Sequence, residues 1–170
     1  MKIWSKRASE IELPHQCLYC KSPKIERQEH TSGRVRCPRC GKPMAQVARN
    51  MLTVARTLAV YGFDVLKAES YTGINGSDFA FVAIVFGKSY DGSFFEDLPH
   101  RGRLRYIPFY VGEGESVILF DCFKSQYSGI FGLIEPIEAE KRVKSLLLDW
   151  ISEKDPAAVR AVLTLMGCGL

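Results

Sequence analysis

The sequence predicts an α+β fold: a four-cysteine N-terminal segment, a helix, a roughly four-stranded and mainly antiparallel sheet, and two C-terminal helices. Three observations predict it. Helical periodicity, with apolar residues at i, i+3, i+4 and i+7, is confined to residues 43–61 and 136–166. The stretch between holds strand-like runs separated by short turn clusters, which favours antiparallel pairing. The cysteines are concentrated in the first 40 residues, where apolar residues are too few to make a core of their own.

In chain order, the cysteine segment comes first. Of the six cysteines, Cys17-Leu18-Tyr19-Cys20 and Cys37-Pro38-Arg39-Cys40 form two CxxC pairs with sixteen residues between them. Thiolates three positions apart on a tight turn converge on one tetrahedral cation, and two such turns close its coordination sphere. Gly41 follows the last cysteine and permits a left-handed backbone there. Between the pairs, Lys24–His30 and Arg34–Arg36 read as hairpin arms around the Thr31-Ser32-Gly33 turn. Residues 15–42 resemble a zinc ribbon. The resemblance implies one structural Zn²⁺ held by Cys17, Cys20, Cys37 and Cys40, with no open coordination position for catalysis. His15 and His30 read as solvent-facing, Cys122 as a small buried hydrophobe and Cys168 as a free thiol near a terminus.

Pro43 to Tyr61 reads as a helix with Val47, Met51, Val54, Ala55 and Leu58 on its apolar face, opened by Pro43 and stopped by Gly62. No Gly/Ser-rich linker precedes it, so the organisation expected is a ribbon over 1–42 docked on an α+β domain over 43–170. Residues 64–71 are a mixed strand, and Phe79–Phe86 is apolar on both faces, as a central strand is. Leu104–Val111 and Val117–Phe123 are two further strands, the first demoted to a sheet edge by Pro108. Pro136–Ser152 carries Val143, Leu146, Leu147 and Trp150 on one stripe. Asp155-Pro156 caps a last helix with Val159, Val162, Leu163 and Met166 as its apolar positions.

Charge is divided unevenly. Residues 1–60 hold 12 Lys/Arg against 4 Asp/Glu, and residues 61–170 hold 11 against 15, giving +8 and −4. Four thiolates on a divalent cation are formally −2, so the N-terminal part keeps about +6, enough to favour polyanions. The nucleic-acid contacts expected are Lys24, Arg27, Arg34, Arg36, Arg39 and Lys42, with Tyr19 available to stack on a base. Arg34 and Arg36, two apart, would share one side of the hairpin.

Nothing points to an enzyme as directly. No P-loop, dinucleotide fingerprint, GxSxG or HExxH occurs, and the glutamates of Gly112-Glu113-Gly114-Glu115 would repel phosphate, so no nucleotide cofactor is expected. The reading is a non-enzymatic zinc protein whose basic ribbon contacts nucleic acid. One alternative is a protein-interaction or regulatory protein, binding a protein partner or a second copy of itself, with a purely structural ribbon. Another is an enzyme with its site in residues 62–135: a metal-dependent nuclease using Asp64, Glu69, Asp78, Asp121 and Lys124, or a Cys122–His100 thiol pair. No apolar stretch reaches the length of a bilayer span and no export signal follows the basic start, so the expected compartment is the cytoplasm, away from membranes.

Overall fold

A computed structural model of the chain describes residues 13–22, 34–72, 79–88, 90–98, 104–107, 116–123 and 136–167, with the backbone alone at 71–72, 79–81, 92–93, 104–107, 116–123 and 136–140. The strands are β1 (His15–Gln16), β2 (Ala45–Val47), β3 (Val65–Thr72), β4 (Phe79–Phe86), β5 (Leu104–Ile107) and β6 (Ser116–Phe123). The α-helices among these residues are α1 (Leu52–Val60), α2 (Pro136–Ser152) and α3 (Pro156–Leu165).

The four longer strands pair antiparallel, β3 with β4, β4 with β6 and β6 with β5. Two short strands extend this sheet, so the order is β1-β2-β3-β4-β6-β5. β2 runs parallel to β3, through Gln46 opposite Lys67 and Val47 opposite Ala68, and β1 runs antiparallel to β2. The sheet is therefore mixed, and β2-α1-β3 is a crossover unit of the kind a parallel pair requires. β4 lies inside the sheet, and Val82, Ala83, Ile84 and Phe86 are all buried, as its two-faced apolar pattern requires. β5 is the terminal strand, the position that the proline after it favours. Residues 108–115 of the expected Leu104–Val111 strand and its hairpin turn lie outside the described residues.

The first helix differs from the sequence expectation. Pro43 to Tyr61 is not one helix: Pro43 bridges to Arg36, Ala45–Val47 is β2, and a short 3-10 turn over Arg49–Met51 leads into α1. The apolar spacing of Val47 and Met51 satisfies either structure, because both residues are fully buried, Val47 from the sheet and Met51 from the turn. The backbone bonds of β2 go to β1 and to β3, some twenty residues on, and a local pattern does not reveal such a partner.

Both C-terminal helices fall where expected. α2 packs across β3, β4 and β6 and against α1, and it buries Val143, Leu147, Trp150 and Ile151. Asp155 caps α3 by accepting from the amides of Ala157 and Ala158 at 3.1 and 3.2 Å. Only half of the expected α3 stripe is covered: Val159 and Leu163 are buried, whereas Val162 and Met166 are exposed. One core gathers α1, α2, α3 and the sheet, and a ring cluster of Phe63, Phe86, Tyr90 and Phe95 lies in it. Phe95 stacks in turn on Trp150 of α2, with ring centroids 6.0 Å apart.

Candidate metal centre

The two CxxC turns meet. The four Sγ atoms of Cys17, Cys20, Cys37 and Cys40 all lie within 4.8 Å of one another. Sγ separations are 3.5 Å for Cys17–Cys20, 3.5 Å for Cys20–Cys37 and 3.6 Å for Cys17–Cys40. A tetrahedron of sulfurs about 2.3 Å from a central ion has edges of about 3.8 Å, close to these spacings. A disulfide would bring two sulfurs to about 2.05 Å, and all four cysteines are free thiols. The cluster can hold one metal ion. Cys17 and Cys37 are buried, Cys20 is half-buried and Cys40 is exposed.

Local backbone geometry aims the sulfurs. The Tyr19 amide donates to Cys17 Sγ at 3.4 Å. In the second turn the Gly41 amide donates to the Cys37 carbonyl and the Cys37 amide to the Lys42 carbonyl, both at 2.8 Å. This closure needs the left-handed backbone of Gly41, φ +71°. Arg39 Nη1 reaches the Lys21 carbonyl at 3.2 Å and ties one turn to the other. The expected hairpin lies largely in residues 23–33, outside those described. Arg36 instead bridges to Pro43 beyond the last cysteine, and the Met44 amide donates to the Val35 carbonyl at 2.8 Å.

The electrostatics suit a thiolate set. The buried Ser22 hydroxyl lies beside Cys37 and makes no regular hydrogen bond. It is the main influence drawing that thiol down to about 6, helped by the amides of Cys40 and Arg39. Burial and the neighbouring thiols Cys17, Cys37 and Cys40 push Cys20 up to about 12, so the metal-free cluster resists holding four negative charges together. A cation relieves that repulsion, and a buried hydroxyl with no oxygen or nitrogen acceptor fits a metal-bound sulfur. Ser22 was not singled out from sequence; its signal is a hydroxyl two residues after a CxxC.

The predicted cationic contacts separate into groups. Arg36, Arg39 and Lys42 are exposed around the centre, as is Lys21. Arg36 donates to the Gly41 carbonyl at 3.1 Å, and the Lys42 ammonium sits 4.2 Å from the centroid of the Tyr19 ring. That cation covers one face of the ring expected to stack on a base. Arg34 does not share a surface with Arg36: its Nη1 pairs with the buried Asp64 carboxylate at 2.5 Å and its Nη2 donates to the Val65 carbonyl at 2.7 Å. Lys24 and Arg27 lie outside the described residues.

The alternative sites do not assemble among the described residues. Asp64 is taken by Arg34, and Glu69 pairs with Lys67 at 2.9 Å. Asp78, His100 and Lys124 lie outside the described residues, and Asp121 and Cys122 are described only as backbone in β6. His15 is half-buried in β1, and His30 and Cys168 lie outside the description. No described helix is long and apolar enough to cross a membrane.

Comparison with protein-family models, curated proteins and solved structures finds no match.

Proposed function

We propose that this is a zinc-binding protein without catalytic activity, in which one structural Zn²⁺ fastens a basic N-terminal segment that contacts nucleic acid. The observation that carries the zinc reading is the four-sulfur cluster with near-tetrahedral spacing. Zn²⁺ takes four thiolates in this geometry and leaves no position for substrate, so its role is folding. Reduced thiols also fit a cytosolic setting. The nucleic-acid reading is supported by the exposed Lys21, Arg36, Arg39 and Lys42 grouped around the centre, with Lys24 and Arg27 as further candidates. Arg34 leaves this set because its charge is used internally.

Elemental analysis of protein purified in reducing buffer should give one zinc per chain, lost in Cys37→Ser. A metal-free chain that folds normally refutes the zinc reading. Binding to nucleic acid should weaken steeply with salt and disappear in Arg36→Glu/Arg39→Glu while zinc is retained. Unchanged affinity in that variant removes the nucleic-acid reading.

A second reading, a protein-interaction surface, rests on the aliphatic residues exposed at the ends of α1 and α3. Val60 is 56% exposed and Leu165 87%, with Val162 and Met166 nearby on α3. A homodimer seen by sedimentation and dissociated by Leu165→Glu would support it; a monomer unaffected by that change would not.

A further inference from the structure

A cavity of about 370 Å³ opens between the metal centre and α3. One wall comes from the CxxC turns, through Tyr19 and Lys42; the other is Arg160 and Thr164 of α3; Val60, 56% exposed, supplies an aliphatic floor over the buried Leu163. Among the described residues, no carboxylate lines it. Its size is that of small-molecule sites.

Both cations are held in place before any ligand arrives. Lys42 rests over the Tyr19 ring. Arg160 donates to the Val60 carbonyl at 2.8 Å, at the C-terminal end of α1, where a cation is favoured. Gly62 makes room for its stem: a Cβ there would lie 2.9 Å from Arg160 Cγ, on a backbone with φ +99°. Cations positioned in this way lose little freedom when they meet an anion.

We infer that this groove seats one nucleotide unit of a single strand, with the phosphate between Lys42 and Arg160 and the base against the exposed Val60. The inference rests on the nucleic-acid reading above and deepens it. Two cations with no carboxylate among the described lining residues favour an anion, and the apolar floor favours one that carries a flat, poorly hydrated body. Single-strand sites pair cationic contacts with a surface for the base in this way. A duplex keeps its bases stacked inside and has none to offer the floor.

The test uses the zinc-loaded full chain, a labelled oligothymidylate, and the same strand paired with oligoadenylate. The wild type should bind the single strand more tightly than the duplex. Arg160→Gln should weaken single-strand binding and reduce its salt slope by about one. Thr164→Glu, which puts an acid into the groove one helical turn from Arg160, should weaken it further with little change for the duplex. Zinc content and circular dichroism verify folding, and Thr164→Glu decides the matter if Arg160→Gln is unstable. If both variants keep wild-type single-strand affinity while Arg36→Glu/Arg39→Glu abolishes binding, the groove assignment fails and the nucleic-acid reading stands. Equal weakening for single strand and duplex also overturns the groove, leaving only long-range charge. If the wild type binds neither probe, both readings fall.

Discussion

Arg34 and Asp64 join two distant parts of the sequence at one point. Asp64 is buried just before β3, its amide donates to the Tyr90 hydroxyl at 2.8 Å, and its carboxylate holds the guanidinium of a residue three positions before Cys37. Gly87 leaves them space, since a Cβ there would approach Asp64 Oδ2 to 2.7 Å and Arg34 Nη1 to 3.1 Å. Removing one member of such a pair strands the other charge away from water. Arg34→Met should therefore destabilise the protein by about 3 kcal/mol in urea unfolding, with zinc still bound in the native state. A second residue-scale effect concerns Asp97, which accepts from Trp150 Nε1 at 2.9 Å and from the Lys154 ammonium. Burial opposes its ionisation, but Lys154 and the indole outweigh that and hold the carboxyl below its ordinary value. A carboxyl lowered by folding stabilises above its unfolded value and loses that contribution as pH falls through the folded one. Asp97 is largely exposed, so the effect is below about 1 kcal/mol. Trp150 fluorescence should titrate below the ordinary carboxylate range in the wild type, and that transition should vanish in Asp97→Asn.

At the scale of elements, local chemistry makes some boundaries readable and hides others. Asp155 followed by Pro156 specifies where α3 starts, because the cap oxygen and the fixed proline φ act within one turn. Asp155→Ala should cost about 1 kcal/mol, read as a lower denaturant midpoint with unchanged slope. α2 is legible for the same reason: Pro136 opens it, and Val143, Leu147 and Trp150 recur at helical spacing and are buried. β2 was not legible. Three residues carry no period of their own, and what makes them a strand is a parallel partner across α1. In the site, the four cysteines were readable because thiolate spacing is a local constraint. The fate of Arg34 was not, because charge alone does not say whether a guanidinium meets solvent or a buried carboxylate. The groove between Lys42 and Arg160 needs residues more than a hundred positions apart, and no sequence window contains both.

On the scale of the whole molecule, the metal segment is built into the sheet. Gln16 Nε2 donates to the Val47 carbonyl at 2.8 Å, the Val47 amide reaches the Pro14 carbonyl, and Leu18 is buried in the main core. Metal binding can contribute on the order of 10 kcal/mol to such a segment. Chelation should therefore lower the melting temperature of the whole chain and speed the exchange of β2 amides, whereas α2 amides keep their protection. Hydrogen exchange read residue by residue separates this from uniform loosening.

The pairing of β2 with β3 has one more consequence. β1 pairs only with β2, and the three-residue β2 covers Lys67 and Ala68 of the eight residues in β3. A long strand stripped of its neighbour offers a row of open amides and carbonyls to any other chain. An ion held by the four thiolates would, by keeping β2 in place, also guard those positions of β3 against pairing with another molecule. Zinc-stripped protein should scatter light in a concentration-dependent way well below its unfolding temperature, whereas the zinc-loaded chain should not.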